Sequence, residues 1–136
     1  AIEEISIFKN NSFLDLTCSN NKIEMDGKKV YDFVVSHVFP KIDTFLKSNK
    51  LVKQIFFHQA SQVVCDYIKN KFQKSKINIP NNLNRRGNTV SATIPILIHD
   101  YAKKYNLNIN DRILLVGFGV GLSWAGCVWQ DLLGKR

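Results

Sequence analysis

The stretch RILLVGFGVGLSWAGCVWQ, residues 112–130, sets the fold class of this 136-residue chain. It holds two β-rich runs, RILLVGF and LSWAGCVWQ, separated only by GVG. Parallel strands need a crossover of a dozen or more residues, whereas a connection this short joins antiparallel neighbours. The stretch therefore predicts two antiparallel strands, and the glycines between them favour a tight turn.

Upstream of this pair, strand and helix patterns alternate. VKQIFFH (residues 52–58) is a short β-rich run, and EEISIF (residues 3–8) alternates as an edge strand does, whereas the Asn-rich residues 9–24 are typical of a loop. Helical stripes begin near Gly27, after Ser61 and near Val90. Ser61 can cap the second of these helices, and Pro40 is expected to kink or divide the first. These patterns together predict an α/β domain with a mixed sheet.

Composition narrows the class of protein. Hydrophobic residues make up 45% of the chain and charged residues 22%, as in a folded domain. No apolar run approaches the length of a membrane span, and no nucleic-acid-binding motif accompanies the net charge of +8, so we expect neither a membrane nor a nucleic acid as partner. Three cysteines without a CxxC pair predict reduced thiols in a cytoplasmic protein, with no disulfide framework and no metal site.

Four motifs occur in a fixed order along the chain. They are MDGKKVYDF (residues 25–33), FFHQAS (residues 56–61), RRGNTVSATIP (residues 85–95) and LLVGFGVGLSWAG (residues 114–126). In order and spacing they resemble the C-terminal half of the β-ketoacyl-[acyl-carrier-protein] synthase III family, the thiolase-fold condensing enzymes of fatty acid biosynthesis and lipid metabolism. The resemblance implies a thiolase-like half with a mixed five-stranded sheet, its last two strands antiparallel.

The resemblance also implies a set of catalytic residues. The family uses a Cys, a His and an Asn, and the last two match His58 and Asn88. None of the three cysteines, Cys18, Cys65 and Cys127, matches the nucleophile, which the family carries in its N-terminal half. Residues 1–136 are thus expected to be the C-terminal domain of a longer acyltransferase that forms a homodimer, with the nucleophile half absent and the isolated fragment inactive.

Chemistry is consistent with these residue types. Condensation loads an acyl group onto a cysteine, and malonyl thioester then loses carbon dioxide, which leaves negative charge on the thioester oxygen. An imidazole N–H from His58 and an amide N–H from Asn88 can stabilise that oxygen without a metal. The expected substrates are acyl-CoA and malonyl acyl carrier protein, as coenzyme A or phosphopantetheine thioesters, with no other cofactor. The resemblance places Met25, Gly27, Ser61, Gly87, Gly119, Val120 and Gly121 in substrate binding.

A lysine cluster offers a surface for an acidic carrier. The segment KNKFQKSK contributes Lys69, Lys71, Lys74 and Lys76, although a solvated surface without a partner explains the same pattern. The chain departs from the family at two positions. Ser61 stands where the family carries Asn, and Val63 stands where the family commonly carries an arginine that is linked to carrier docking.

Two other functions fit the same motifs. A family variant could transfer an acyl group to a hydroxyl or amine, with His58 as general base rather than hydrogen-bond donor. Alternatively, the chain could be a non-catalytic thiolase-like partner that binds an acyl carrier. Product identity separates the first from condensation, and carrier binding that is unaffected by changes at His58 and Asn88 would favour the second.

Overall fold

The computed structural model describes the backbone of residues 2–9, 16–19, 22–102, 112–119 and 121–130. Its strands are β1 (Ile2–Lys9), β2 (Leu16–Ser19), β3 (Lys22–Met25), β4 (Val52–Phe57), β5 (Arg112–Gly119) and β6 (Ser123–Gln130). The main sheet has the order β1-β6-β5-β4. β4 is parallel to β5, β5 is antiparallel to β6, and β6 is antiparallel to β1. The predicted mixed α/β sheet and its antiparallel final pair are confirmed.

Two features of the strand prediction were wrong. The main sheet has four strands in the described part of the chain rather than five. β2 and β3 pair with each other in a separate two-stranded sheet, from Leu16 opposite Met25 to Ser19 opposite Lys22. Apart from Met25, these residues lie in the stretch predicted as a loop. Each of these four-residue strands satisfies its backbone hydrogen-bonding groups by pairing with the other, so neither needs to join the main sheet. The strands were missed because the abundance of asparagine is typical of a loop.

The helical elements follow the predicted stripes. They are α1 (Gly27–Phe33), a π-helical segment (Val34–Val38), α2 (Phe39–Ser48), α3 (Gln62–Phe72), α4 (Leu83–Arg86), a 3₁₀ turn (Val90–Ala92) and α5 (Thr93–Ala102). The predicted effect of Pro40 is confirmed, because the π-helical segment separates α1 from α2 just before this residue. Proline lacks the N–H of a regular helix, and it is tolerated in the first turn of α2.

Side chains on the two faces of the sheet build two apolar clusters. Ile55 and Phe57 of β4 pack with α1, the π-helical segment, α2 and α3, whereas Phe56 packs on the other face with Leu97 of α5 and Ile113 of β5. All five side chains are at most 3% exposed. β4 is thus held from both faces, and its carboxyl end is a rigid point from which the following residues project.

Among the described residues, no helix combines the length and the apolar character needed to cross a membrane.

Candidate active site

His58 follows β4 directly and extends the line of that strand. Its backbone N–H donates to the carbonyl oxygen of Val116 in β5 over 2.9 Å. Its half-buried ring forms a T-shaped pair with the ring of Phe118, with 5.4 Å between the ring centroids and 82° between the planes. Burial lowers the pKa of His58 below its usual value, so the imidazole is neutral near pH 7. A neutral ring carries one N–H and one bare nitrogen.

The Thr93 hydroxyl holds the inner nitrogen of that ring. Thr93 begins α5 and is 2% exposed, and its Oγ1 lies 2.6 Å from His58 Nδ1 and 3.1 Å from the carbonyl oxygen of Val90. Because Nδ1 is occupied by the hydroxyl of Thr93, the other ring nitrogen, Nε2, is the one available to a substrate.

Asn88 lies in the turn between α4 and the 3₁₀ turn. Its Oδ1 accepts the backbone N–H of Val90 over 2.8 Å, and its Nδ2 donates to the carbonyl oxygen of Ala60 over 3.0 Å. These two contacts fix the orientation of the amide, since one end must accept and the other donate. An amide nitrogen has two N–H groups, so the bond to Ala60 leaves the second N–H of Asn88 available.

The backbone around Asn88 adopts unusual conformations. Gly87 has φ +68° and ψ −171°, a region essentially restricted to glycine. Val90 has φ +53°, which is rare for a β-branched residue, and its side chain is 72% exposed. The bonds of Val90 to Asn88 and Thr93 hold it there. Strained backbone of this kind concentrates at functional sites.

An ion pair holds the segment that leads to Asn88. Arg86 at the end of α4 donates from Nε and Nη2 to the two carboxylate oxygens of Asp100 in α5, at 3.0 Å and 2.9 Å. The Asn82 amide donates to the same carboxylate over 2.9 Å. The Asp100 side chain is 7% exposed, and the hydrogen bonds from Arg86 and Asn82 hold its pKa well below the usual range. A bidentate pair between α4 and α5 thus fixes the turn geometrically.

Gln59 links the same segment to the end of β4. It is 2% exposed, and its Nε2 donates to the carbonyl oxygen of Phe57 over 2.9 Å. Its Oε1 accepts the backbone N–H of Asn82 over 3.4 Å. The residue next to His58 and the loop that leads to Asn88 are therefore joined through one buried amide.

His58 and Asn88 both line a cavity of about 720 Å³. Of the residues predicted to bind substrate, four also line it: Met25, Gly27, Ser61 and Gly119. Gly87 and Gly121 are not in the lining, and Val120 lies outside the described residues. Gly121 instead supplies a positive φ of 74° in the turn between β5 and β6. Ser61 has a structural task too, since its hydroxyl caps α3 by accepting the N–H of Val64, as predicted.

Sequence reasoning missed the contributions of Thr93 and Phe118, which also line the cavity. The sequence pattern placed Thr93 only near the start of a helix and Phe118 only in a buried strand. Their contacts with His58 span 35 and 60 residues of chain, respectively, and no local pattern announces such a contact.

Two thiols, those of Cys65 and Cys127, have side chains that the structure describes, and both are separate from the cavity. Cys65 is buried, and its pKa is raised to about 11 mainly by burial. Burial also raises the pKa of Cys127. Neither lines the cavity, so neither is placed to act as a nucleophile beside His58. Across the described ranges, no three His, Cys, Asp or Glu side chains come together as a metal would require.

The lysine cluster lies away from the cavity. Ser61 caps α3 at the cavity, and Lys69 and Lys71 occupy the last turn of that helix, about 15 Å along its axis. Lys71 forms an ion pair with Asp43 at 3.1 Å. The four lysines are exposed, so any role in docking would be at a distance from the reacting groups.

Comparison with known proteins identifies the family. Residues 47–131 match the family described as 3-oxoacyl-[acyl-carrier-protein (ACP)] synthase III C terminal. A β-ketoacyl-[acyl-carrier-protein] synthase III of Clostridium botulinum (strain Okra / Type B1) is 37% identical over 131 residues, which are 93% of this chain and 39% of the relative. Its counterpart from Prochlorococcus marinus (strain MIT 9215) is 35% identical over 129 residues, 92% of this chain and 38% of that protein.

A solved structure agrees in fold. The 3-oxoacyl-[acyl-carrier-protein] synthase III of Aquifex aeolicus VF5 superposes with a TM-score of 0.72 at 25% identity, covering 93% of this chain and 44% of that one. The chain thus spans about two fifths of the length of the curated relatives it matches. Its motifs, its mixed α/β sheet and these matches agree: the chain belongs to the 3-oxoacyl-[acyl-carrier-protein] synthase III family and corresponds to the C-terminal domain of that family.

Proposed function

We propose that this chain supplies the hydrogen-bond donors for a decarboxylative Claisen condensation between an acyl-CoA thioester and malonyl carrier protein. One observation carries the proposal: the imidazole of His58 and the amide of Asn88, which has an uncommitted N–H, line the same cavity. Two neutral donors aimed at one oxygen stabilise negative charge as it develops, and they need no metal.

The reaction would begin at the malonyl carboxylate. Its bond to the α-carbon breaks, carbon dioxide leaves, and the electron pair spreads onto the thioester oxygen, where His58 and Asn88 donate their N–H groups. The resulting carbanion attacks an acyl group held as a thioester on a cysteine, a carbon–carbon bond forms, and the cysteine leaves as thiolate. The product is a 3-oxoacyl thioester on the carrier.

The acyl-bearing cysteine is proposed to come from the N-terminal half of a longer enzyme, of which residues 1–136 form the C-terminal domain. The positions and raised pKa values of Cys65 and Cys127 support this assignment, because a nucleophilic thiol needs access to substrate and an accessible thiolate. Without that half, the fragment should be inactive in condensation.

The cavity offers room for the thioester arm. Val64, Ile94 and Trp124 contribute apolar surface to its wall, and Ser61, Ser91 and Asn88 contribute polar groups. A mostly apolar cavity with a few polar groups suits a small-molecule arm that must be oriented at one end. We assign Met25, Gly27 and Gly119 to the same binding surface. The homodimer and the cytoplasmic location remain predictions.

The test is product analysis with the intact protein, acyl-CoA and malonyl carrier protein. We expect carbon dioxide and a 3-oxoacyl product in equal amounts, with both reduced together by His58→Ala and by Asn88→Ala. His37→Ala is the matched control, because His37 is exposed on a helix and is not in the cavity lining. Ester or amide formation without carbon dioxide would overturn the proposal in favour of acyl transfer.

A further inference from the structure

The Thr93 hydroxyl has one proton and two acceptors within reach. Its Oγ1 lies 2.6 Å from His58 Nδ1 and 3.1 Å from the carbonyl oxygen of Val90. If the proton goes to Nδ1, the neutral ring must carry its own proton on Nε2. If the proton goes to Val90, Nδ1 must donate to the hydroxyl, and Nε2 is left bare. The direction of one hydrogen bond therefore fixes the tautomer of His58.

Two observations favour donation to the ring. The contact with Nδ1 is the shorter of the two, and 2.6 Å is close even for a hydroxyl donor. The carbonyl of Val90 also accepts the backbone N–H of Thr93, so it does not need the hydroxyl proton.

We propose that Thr93 is a positioning residue that donates its hydroxyl proton to His58 Nδ1 and thereby holds the imidazole as the Nε2–H tautomer. The hydroxyl is 35 residues from His58 in sequence and acts only through the ring. Its 2% exposure shields the bond from competing water. Phe118, in a T-shaped pair with the His58 ring, limits the rotation of that ring, so the tautomer and the orientation are set together.

The functional consequence rests on the proposed function. With the proton on Nε2, His58 is a donor to a developing oxyanion. With Nε2 bare, the same ring is a base, the role that acyl transfer to a hydroxyl or amine would require. Thr93 thus selects between two chemistries that the residue types at the site would both permit. In other enzymes that depend on a fixed imidazole, the wrong tautomer lowers kcat strongly.

The direct test is ¹⁵N NMR of the histidine rings in the intact protein at pH 7. The signals of His58 are identified as those that are missing from the spectrum of a His58→Gln variant. We expect an unprotonated Nδ1 and a protonated Nε2 in the native protein and in Thr93→Ser, which keeps the hydroxyl. In Thr93→Val we expect the proton to redistribute toward Nδ1. A protonated Nδ1 in the native protein would overturn the proposal.

Steady-state kinetics supply a second readout. Thr93→Val should lower kcat for decarboxylation by at least about tenfold with little change in KM, and Thr93→Ser should restore most of it. Equal losses in both variants would contradict a role for the hydroxyl. The spectra do not depend on turnover: if the native protein fails to release carbon dioxide, the proposed function fails while the tautomer assignment stands. If Thr93→Val does not fold, the native and Thr93→Ser spectra still decide.

Discussion

The side-chain amide of Asn88 donates to the carbonyl oxygen of Ala60 over 3.0 Å, which ties the turn after α4 to the loop that follows His58. This bond uses one of the two N–H groups of Asn88, and its Oδ1 is occupied by the N–H of Val90. The amide is thereby oriented from both ends before any substrate arrives. Donors that are already oriented need little reorganisation when they bind a charge, so their position matters more than their number.

Asn88→Ala should lower kcat for decarboxylation by about 10²- to 10³-fold, because one of two oxyanion donors is removed. Asn88→Asp should do at least as much damage, since it places a carboxylate where negative charge develops. The check is the rate of carbon dioxide release from malonyl carrier protein. Asn84→Ala is a suitable control, because Asn84 is exposed on α4 and is not in the cavity lining. An Asn88→Ala protein with native rates would exclude the amide from catalysis.

Gly87→Ala should destabilise the protein by about 1–3 kcal/mol through backbone strain alone. Gly87 has φ +68°, yet a Cβ built there meets no atom within 4 Å, so steric crowding is not the cause. Urea unfolding of the variant measures the loss. Gly27→Ala is the matched control, because Gly27 lies in the first turn of α1, has no positive φ and is also uncrowded. Equal stability changes in the two variants would argue against strain at Gly87.

The ion pair between Arg86 and Asp100 makes stability depend on pH in a defined window. The pKa of Asp100 in the folded protein is held below its usual value, mainly by hydrogen bonds from Arg86. The unfolded chain therefore binds the proton more readily, and stability falls as pH drops below about 3.9. Above that value the contribution is fully present. Thermal unfolding measured from pH 7 to pH 2 should show this loss.

In Asp100→Asn the acid-dependent part of the unfolding profile should be smaller, because the group that titrates in this window is gone. Activity should fall roughly 10- to 100-fold as the turn carrying Asn88 loosens, since a displacement of about 1 Å is enough for such losses. Asp66→Asn, at an exposed carboxylate on α3, is the comparison. A pH profile identical to that of the native protein would remove Asp100 from this account.

The lysines in the last turn of α3 and just after it provide a test of carrier docking. A triple variant with Lys69, Lys74 and Lys76 changed to Glu should raise KM for malonyl carrier protein about tenfold at low salt, with kcat unchanged, because steering acts on association. The matched control changes Lys41, Lys47 and Lys50 to Glu, three exposed lysines in and after α2 with the same change in charge. Equal effects of the two triple variants would reduce the cluster to a solvated surface.

Local patterns predicted most of the fold, for reasons visible in particular residues. Ser61 indicated the start of α3, because a hydroxyl at that position can accept a helix N–H. The connection after Gly119 is so short that it could only join antiparallel strands. The pairing of β2 with β3 could not be predicted, because four-residue strands in an Asn-rich segment leave no periodicity to read.

The site was predictable only in part. His58 and Asn88 stand in recognisable motifs, and the structure brings both to one cavity. The contacts that orient them are long-range, from Thr93 to His58 and from Arg86 to Asp100, and depend on how α5 packs against β4. Local sequence patterns do not predict tertiary packing of this kind, so the supporting residues can be identified only in the folded structure.

The most direct test is the structure of the intact protein bound to a stable malonyl-thioester analogue. The account predicts the thioester oxygen at about 2.7–3.1 Å from both His58 Nε2 and Asn88 Nδ2, the range expected for oxyanion donors. A thioester oxygen held by other groups, with His58 and Asn88 both out of hydrogen-bonding range, would contradict the claim that these two residues form the donor pair.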